Sequence, residues 1–161
     1  MLTAPILTAR EVLPHHHGAE TPADRLVLAF DDRHRRRLRL TTEAGADILL
    51  DLPHATVLED GDALRLSDGR LVEIRAADEP LMEVSAADPV TLARLAWHIG
   101  NRHLPADIRP TGIRLRWDHV IAHMLEGLGA TVTRVSAPFN PESGAYSGAR
   151  VAHDHGHDHA H

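Results

Sequence analysis

The apolar positions of the first half fall into short runs, several of them with the period of two that marks a half-buried strand. Leu26-Val27-Leu28-Ala29-Phe30 is a compact run, Arg37-Leu38-Arg39-Leu40 alternates charged with apolar, and Ile48-Leu49-Leu50 follows. Ala63-Leu64-Arg65-Leu66 and Leu71-Val72-Glu73-Ile74 flank Ser67-Asp68-Gly69-Arg70. The Asp-Gly pair supplies the positive backbone angles of a tight hairpin turn. Residues 1–75 therefore read as a small all-β domain, with Ala76-Ala77-Asp78-Glu79-Pro80 as a linker.

The second half alternates strand and helix. Leu81-Met82-Glu83-Val84 predicts a strand. Asp88 then caps a helix with Pro89 at its first position, and Leu92, Leu95, Ala96 and Ile99 recur on one face until Gly100 stops it. Ile108-Arg109 and Ile113-Arg114-Leu115-Arg116 flank a turn at Pro110-Thr111-Gly112. Asp118 caps a second helix with the stripe Ile121, Met124, Leu125 and Leu128, ended by Gly129, and Thr131-Val132-Thr133-Arg134-Val135 predicts a last strand. The order βαββαβ is the ferredoxin-like plan, assigned to residues 76–148. From about Pro138 the chain is rich in Gly, Pro, Ser and His, and residues 149–161 read as a flexible His-rich tail. The fold class expected is α+β.

Composition narrows the function. The chain has 161 residues, a net charge of −6, no cysteine and no lysine. An acidic balance argues against nucleic-acid binding, and the predicted strands lack the aromatics that stack on RNA bases. Without cysteine there are no disulfides, thiolate zinc sites or cysteine nucleophile, which leaves His, Asp, Glu and water as metal ligands. Pro5 and Arg10 interrupt the one apolar stretch near Met1, and no run approaches a membrane span. A cytoplasmic protein with no membrane partner is the expectation.

The final stretch carries the most chemistry. His153, His155, His157, His159 and His161 alternate with Asp154, Gly156, Asp158 and Ala160. Imidazole is the commonest side-chain ligand for divalent first-row metals, and the carboxylates add oxygen donors. An affinity tag is usually an unbroken histidine run, whereas this one is punctuated by Asp and Gly. On the second helix His119 and His123 lie one turn apart, opposite the apolar stripe, and either chelate an ion or face solvent. Val120 stands where a zinc metalloprotease carries its glutamate base, so that activity is rejected. His98 lies off the apolar stripe, and His103 follows the helix stop; spacing alone makes His103 more often a surface polar group than a ligand. The triplet His15-His16-His17 is a weak ion binder or a solvated loop. Arg33-His34-Arg35-Arg36-Arg37 faces an acidic partner or blunts an edge strand.

Several of these pieces together resemble one family. Gly100-Asn101-Arg102-His103, Asp118-His119-Val120, Met124-Leu125 and Pro138-Phe139-Asn140-Pro141-Glu142-Ser143-Gly144-Ala145-Tyr146 are similar to the UreE urease accessory proteins. Gly61-Asp62-Ala63-Leu64 through Asp68-Gly69-Arg70, Glu73 and Ala76-Ala77 match as well, in the same order along the chain. The resemblance implies a homodimeric nickel metallochaperone that supplies nickel to the urease active site and has no catalytic turnover of its own. It implies an N-terminal partner-binding domain and a C-terminal metal-binding and dimerisation domain. It places a shared ion at the dimer interface on His103 of each copy, with further ligands from His153, His155, His157, His159 and His161. His119 is a candidate ligand, but Trp117 occupies a position where some members have a second histidine. Implied partners are apo-urease and the urease accessory proteins, including their GTPase. This chain lacks the phosphate-binding Gly-Lys-Ser/Thr loop that hydrolysis would need. Zinc and copper suit the same ligands as nickel. The alternative is a His-rich protein that stores or sequesters divalent metal without delivering it.

Overall fold

The computed structural model describes residues 5–15, 18 and 20–142. It is an α+β structure with two sheets. The first holds β1 (Leu7–Leu13), β2 (Asp24–Leu28), β3 (His34–Thr41), β4 (Asp47–Val57), β5 (Ala63–Leu66) and β6 (Leu71–Ala76), with a one-turn helix α1 (Phe30–Arg33). Its strand order is β2-β6-β5-β1-β4-β3. The pairs β1–β4 and β2–β6 are parallel and the rest antiparallel. Along β4 the residues Ile48, Leu50 and Leu52 are buried at period two, and they join Ala9, Leu26, Leu40, Leu64, Val72 and Ile74 in one core. Among the described residues, no residue of a helix belongs to that core.

The second sheet holds β7 (Asp78–Ser85), β8 (Asp107–Arg109), β9 (Gly112–Arg116) and β10 (Thr131–Pro138), with helices α2 (Pro89–Asn101) and α3 (His119–Gly127). The strand order is β10-β7-β9-β8, with antiparallel pairing throughout. Leu95 and Ile99 of α2 and Ala122 and Leu125 of α3 pack with Met82, Val84, Ile113 and Leu115 of the sheet as a second core. Both helices begin on an aspartate. The Asp88 carboxylate accepts the Thr91 N–H and the Thr91 hydroxyl, each at 2.8 Å, and these bonds hold its carboxyl below the usual range. The Asp118 carboxylate accepts the N–H groups of Val120 and Ile121. Among the described residues no helix is long and apolar enough to cross a membrane.

Five sequence expectations need correction. Leu7–Leu13, read only as an interrupted apolar stretch, is β1, an interior strand of the first sheet. Phe30 opens a helix rather than closing a strand, so the first half is not purely β. Asp78–Pro80 is not a linker but the start of β7, paired with Ser136–Pro138. Pro80 is tolerated there because pairing to β9 begins only at Leu81, and a proline can sit where no ladder N–H is required. Leu128 is the α3 cap residue and is exposed rather than part of the core stripe.

The fifth correction concerns the chain after Pro138, which stays fixed through Glu142. Phe139 is fully buried and meets Phe30 edge to face at 5.5 Å. The buried Arg33 guanidinium donates to the carbonyls of Leu58 and Phe139 and to Oδ1 of Asn140, tying the two sheets together. Burial pushes its pKa down, against the raising effect of Glu79, Asp60 and Glu59. Phe30 N–H to Glu79 and Arg116 to Asp31 span the same junction. The expected tail, 149–161, lies outside the described residues.

Candidate metal centre

The sequence places the stop of α2 at Gly100, but the helix continues through Asn101 and closes on His103. The N–H of His103 donates to the Gly100 carbonyl at 3.0 Å and that of Leu104 to the Ile99 carbonyl at 3.4 Å. This pair of bonds is the Schellman closure, whose C′ residue takes a left-handed backbone and is usually glycine. Here His103 adopts it, with φ 54°. The end of α3 uses the same closure: the Gly129 N–H reaches the Glu126 carbonyl and the Ala130 N–H the Leu125 carbonyl. There the C′ residue is Gly129, with φ 97°. A Cβ in the left-handed region costs about 1–2 kcal/mol. One helix end thus avoids that cost and the other accepts it, presenting an exposed imidazole. Leu104 tucks back against the second core beside Ile99, which fixes the chain on leaving the helix.

Around this end, the outward face of α2 carries Val90, Ala93, Arg94, Trp97 and Asn101, all exposed. Trp97 is 63% exposed, and Val120 on α3 is 62% exposed. His98 is half-buried, its ring edge-on to Trp97 at 5.0 Å. His119 and His123 are exposed on α3, on the side away from Ala122 and Leu125, as the helical spacing required. Trp117 is half-buried in the second core with the Arg134 guanidinium 4.7 Å from its ring centre.

Among the described residues, the metal-ligating side chains that come together in a group of three are His15, Glu59 and Asp62. His103 and His119 do not belong to that group. His153, His155, His157, His159 and His161 lie outside the described residues, as do His16 and His17. The sequence reading named His15 within the triplet but missed both carboxylates. Their only sequence cue was the Glu59-Asp60-Gly61-Asp62 turn between β4 and β5.

Two family models meet end to end on this chain. One, described as the UreE urease accessory protein C-terminal domain, matches residues 79–161. The other, the N-terminal domain of the same family, matches residues 6–77. The chain belongs to the UreE urease accessory protein family. It is 55% identical over 153 residues to a urease accessory protein UreE of Bradyrhizobium sp. strain BTAi1, covering 95% of this chain and 73% of that one. The UreE of Beijerinckia indica is 49% identical, with 96% and 88% covered. That of Rhodobacter capsulatus is 48% identical, with 95% and 96% covered. The N-terminal UreE model takes in β1–β6 and the C-terminal one β7–β10 with both helices, so the Gly100–His103 and Pro138–Tyr146 motifs belong to the latter.

Proposed function

We propose that the protein is a nickel metallochaperone of urease maturation, acting as a homodimer in which His103 of each copy holds one shared ion. The observation that carries this reading is the left-handed, solvent-facing His103 at a helix end where glycine would cost less. A strained backbone at a side chain able to ligate supports a functional position. The exposed Val90–Trp97 face of the same helix supports the dimer, because burying an aromatic ring of this kind removes about 150–250 Å² from water. Residues 76–148 are then the ferredoxin-like metal-binding and dimerisation domain, and residues 1–75 the partner-binding domain.

One imidazole from each subunit gives a symmetric site with few protein ligands and several exchangeable positions. His153, His155, His157, His159 and His161 complete the coordination and give it up again, so that transfer proceeds by ligand substitution; His119 is a further ligand. Imidazole donors suit nickel, zinc and copper alike, so selectivity lies partly with the receiver. Only the neutral ring ligates, and affinity for the tail falls as pH drops through about 6.5. The receivers are apo-urease and the urease accessory proteins, with GTP hydrolysis supplied by the GTPase among them and the whole process cytoplasmic. The protein itself turns over no substrate.

The test is nickel titration by calorimetry with native mass spectrometry. Deleting residues 153–161 should lower the stoichiometry and leave the tightest-bound ion, one per dimer, in place, and His103→Ala should remove that ion. Loss of nearly all metal on tail deletion alone would favour storage over delivery. A strict monomer with and without nickel, or an unchanged titration in His103→Ala, would overturn the reading.

A further inference from the structure

Among the described residues only two that are not glycine have a left-handed backbone, and both are histidines: His103 and His15, the latter with φ 42°. His15 follows β1 and meets the turn between β4 and β5. Its Nε2 stands 2.9 Å from Oε2 of Glu59, and its backbone N–H donates to Oδ1 of Asp62 at 3.0 Å. The Glu59 N–H donates to the other Asp62 oxygen at 2.9 Å. One donor atom from each of the three side chains lies within 4.8 Å of the others.

We propose that His15, Glu59 and Asp62 form a second divalent-cation site, at the end of the first sheet and separate from His103. The chemistry is one imidazole nitrogen with two carboxylates, a set that suits nickel or zinc. The spacing fits. Two ligands at right angles around an ion with bonds of about 2.1 Å stand about 3.0 Å apart, and His15 and Glu59 are already at that separation. An ion entering between them replaces their mutual contact and requires little movement of either side chain. Asp62 is the anchor. It is fully buried, and its two carboxylate oxygens accept the backbone N–H groups of His15 and Glu59, which hold it against both residues. His15 and Glu59 are on the open side, with side chains 57% and 41% exposed, so the ion enters from solvent and water fills its other positions. The backbone N–H bond to Asp62 fixes His15 where its ring meets Glu59, which accounts for the left-handed residue.

This site does not depend on the delivery reading, because none of its residues lies near the α2 end in sequence or in the second sheet. The test uses the full chain, labelled with ¹⁵N, and nickel chloride alone. Paramagnetic nickel should broaden the amide signals of residues 13–15 and 58–62 as a cluster of its own. His15→Ala should abolish that broadening while leaving the broadening around residue 103 intact. Glu59→Gln should move its midpoint to at least about tenfold higher nickel. Both side chains are exposed, and an unchanged pattern for the remaining amides shows that each variant is folded. If these amides do not broaden in the wild type, no site exists here. If they broaden equally in Glu59→Gln, the histidine triplet binds alone and the proposed ligand set is wrong.

Discussion

Replacing His103 by glycine separates the two roles of that position. The backbone there needs a left-handed residue, and the matched closure of α3 satisfies the same need with Gly129. Removing the Cβ recovers about 1–2 kcal/mol of local strain, while the extra freedom of glycine in the unfolded chain returns about 0.5–1 kcal/mol of it. The net expectation is a stabilisation of about 0.5–1 kcal/mol. In a chain of 161 residues that raises the melting midpoint by about 1–4 °C. His103→Ala keeps the Cβ and should gain nothing, so it controls for loss of the ring.

The assay is thermal unfolding by circular dichroism at one fixed protomer concentration, first with a chelator and then with nickel. Fixed concentration matters because a dimer's midpoint depends on it. In chelator the order should be glycine variant above wild type, with the alanine variant at or below wild type. Nickel should then raise wild type more than either variant, since only an ion bound to the folded form adds stability. Ions on residues 153–161 bind all three proteins alike and cancel in the comparison. A glycine variant less stable than wild type in chelator would refute the strain argument. An equal nickel shift in all three would refute His103 as a ligand.

Three other outcomes follow from the packing. Trp97→Asp should dissociate the proposed homodimer in sedimentation equilibrium with circular dichroism unchanged, because the ring is 63% exposed in the single chain; a persistent dimer would place the interface elsewhere. Arg33→Ala should cost about 3 kcal/mol by urea unfolding, because it leaves the Leu58 and Phe139 carbonyls and Asn140 without their buried donor; a cost below about 1 kcal/mol would mean water replaces the guanidinium. Gly112→Ala should destabilise by about 1–3 kcal/mol, since a Cβ there collides with the Val84 carbonyl oxygen of the neighbouring strand; unchanged stability would show that the hairpin shifts freely.

The sequence spoke clearly where the signal was local. Asp88 and Asp118 cap the helices they were expected to cap, and Ala63–Leu66 pairs with Leu71–Ala76 across the Asp68-Gly69 turn. It was silent where tertiary contacts decide. In β1 the register shifts between Ala9 and Glu11, which breaks the period of two on which recognition of a strand depends. Asp78-Glu79-Pro80 has the composition of a loop, yet eight consecutive residues of β7 pair with β10. Phe139 follows a proline in a polar stretch, and Phe30, Arg33 and Arg116, distant in sequence, make it a core residue. The candidate site divides in the same way. His103 could be named from its motif but not its backbone, and Glu59 and Asp62 could not be joined to His15 before the strands were placed.

The two helix ends of the second sheet bear on how binding and stability are set against each other. The same pair of hydrogen bonds closes both, so the difference between Gly129 and His103 does not come from the closure itself. Nothing stands within 4 Å of a Cβ built on Gly100, and that residue is free of left-handed strain; the chain turns only at the position where an imidazole is presented. His15 repeats the arrangement on the first sheet with an unrelated local structure, a turn held by a buried aspartate instead of a helix end. Two different backbones thus reach the same uncommon conformation, each at a histidine. Ligation would compensate the strain at both. An ion that lowers the free energy of each bound histidine makes the apo form the strained one, and a metal carrier built this way should gain stability on loading at both sheets independently.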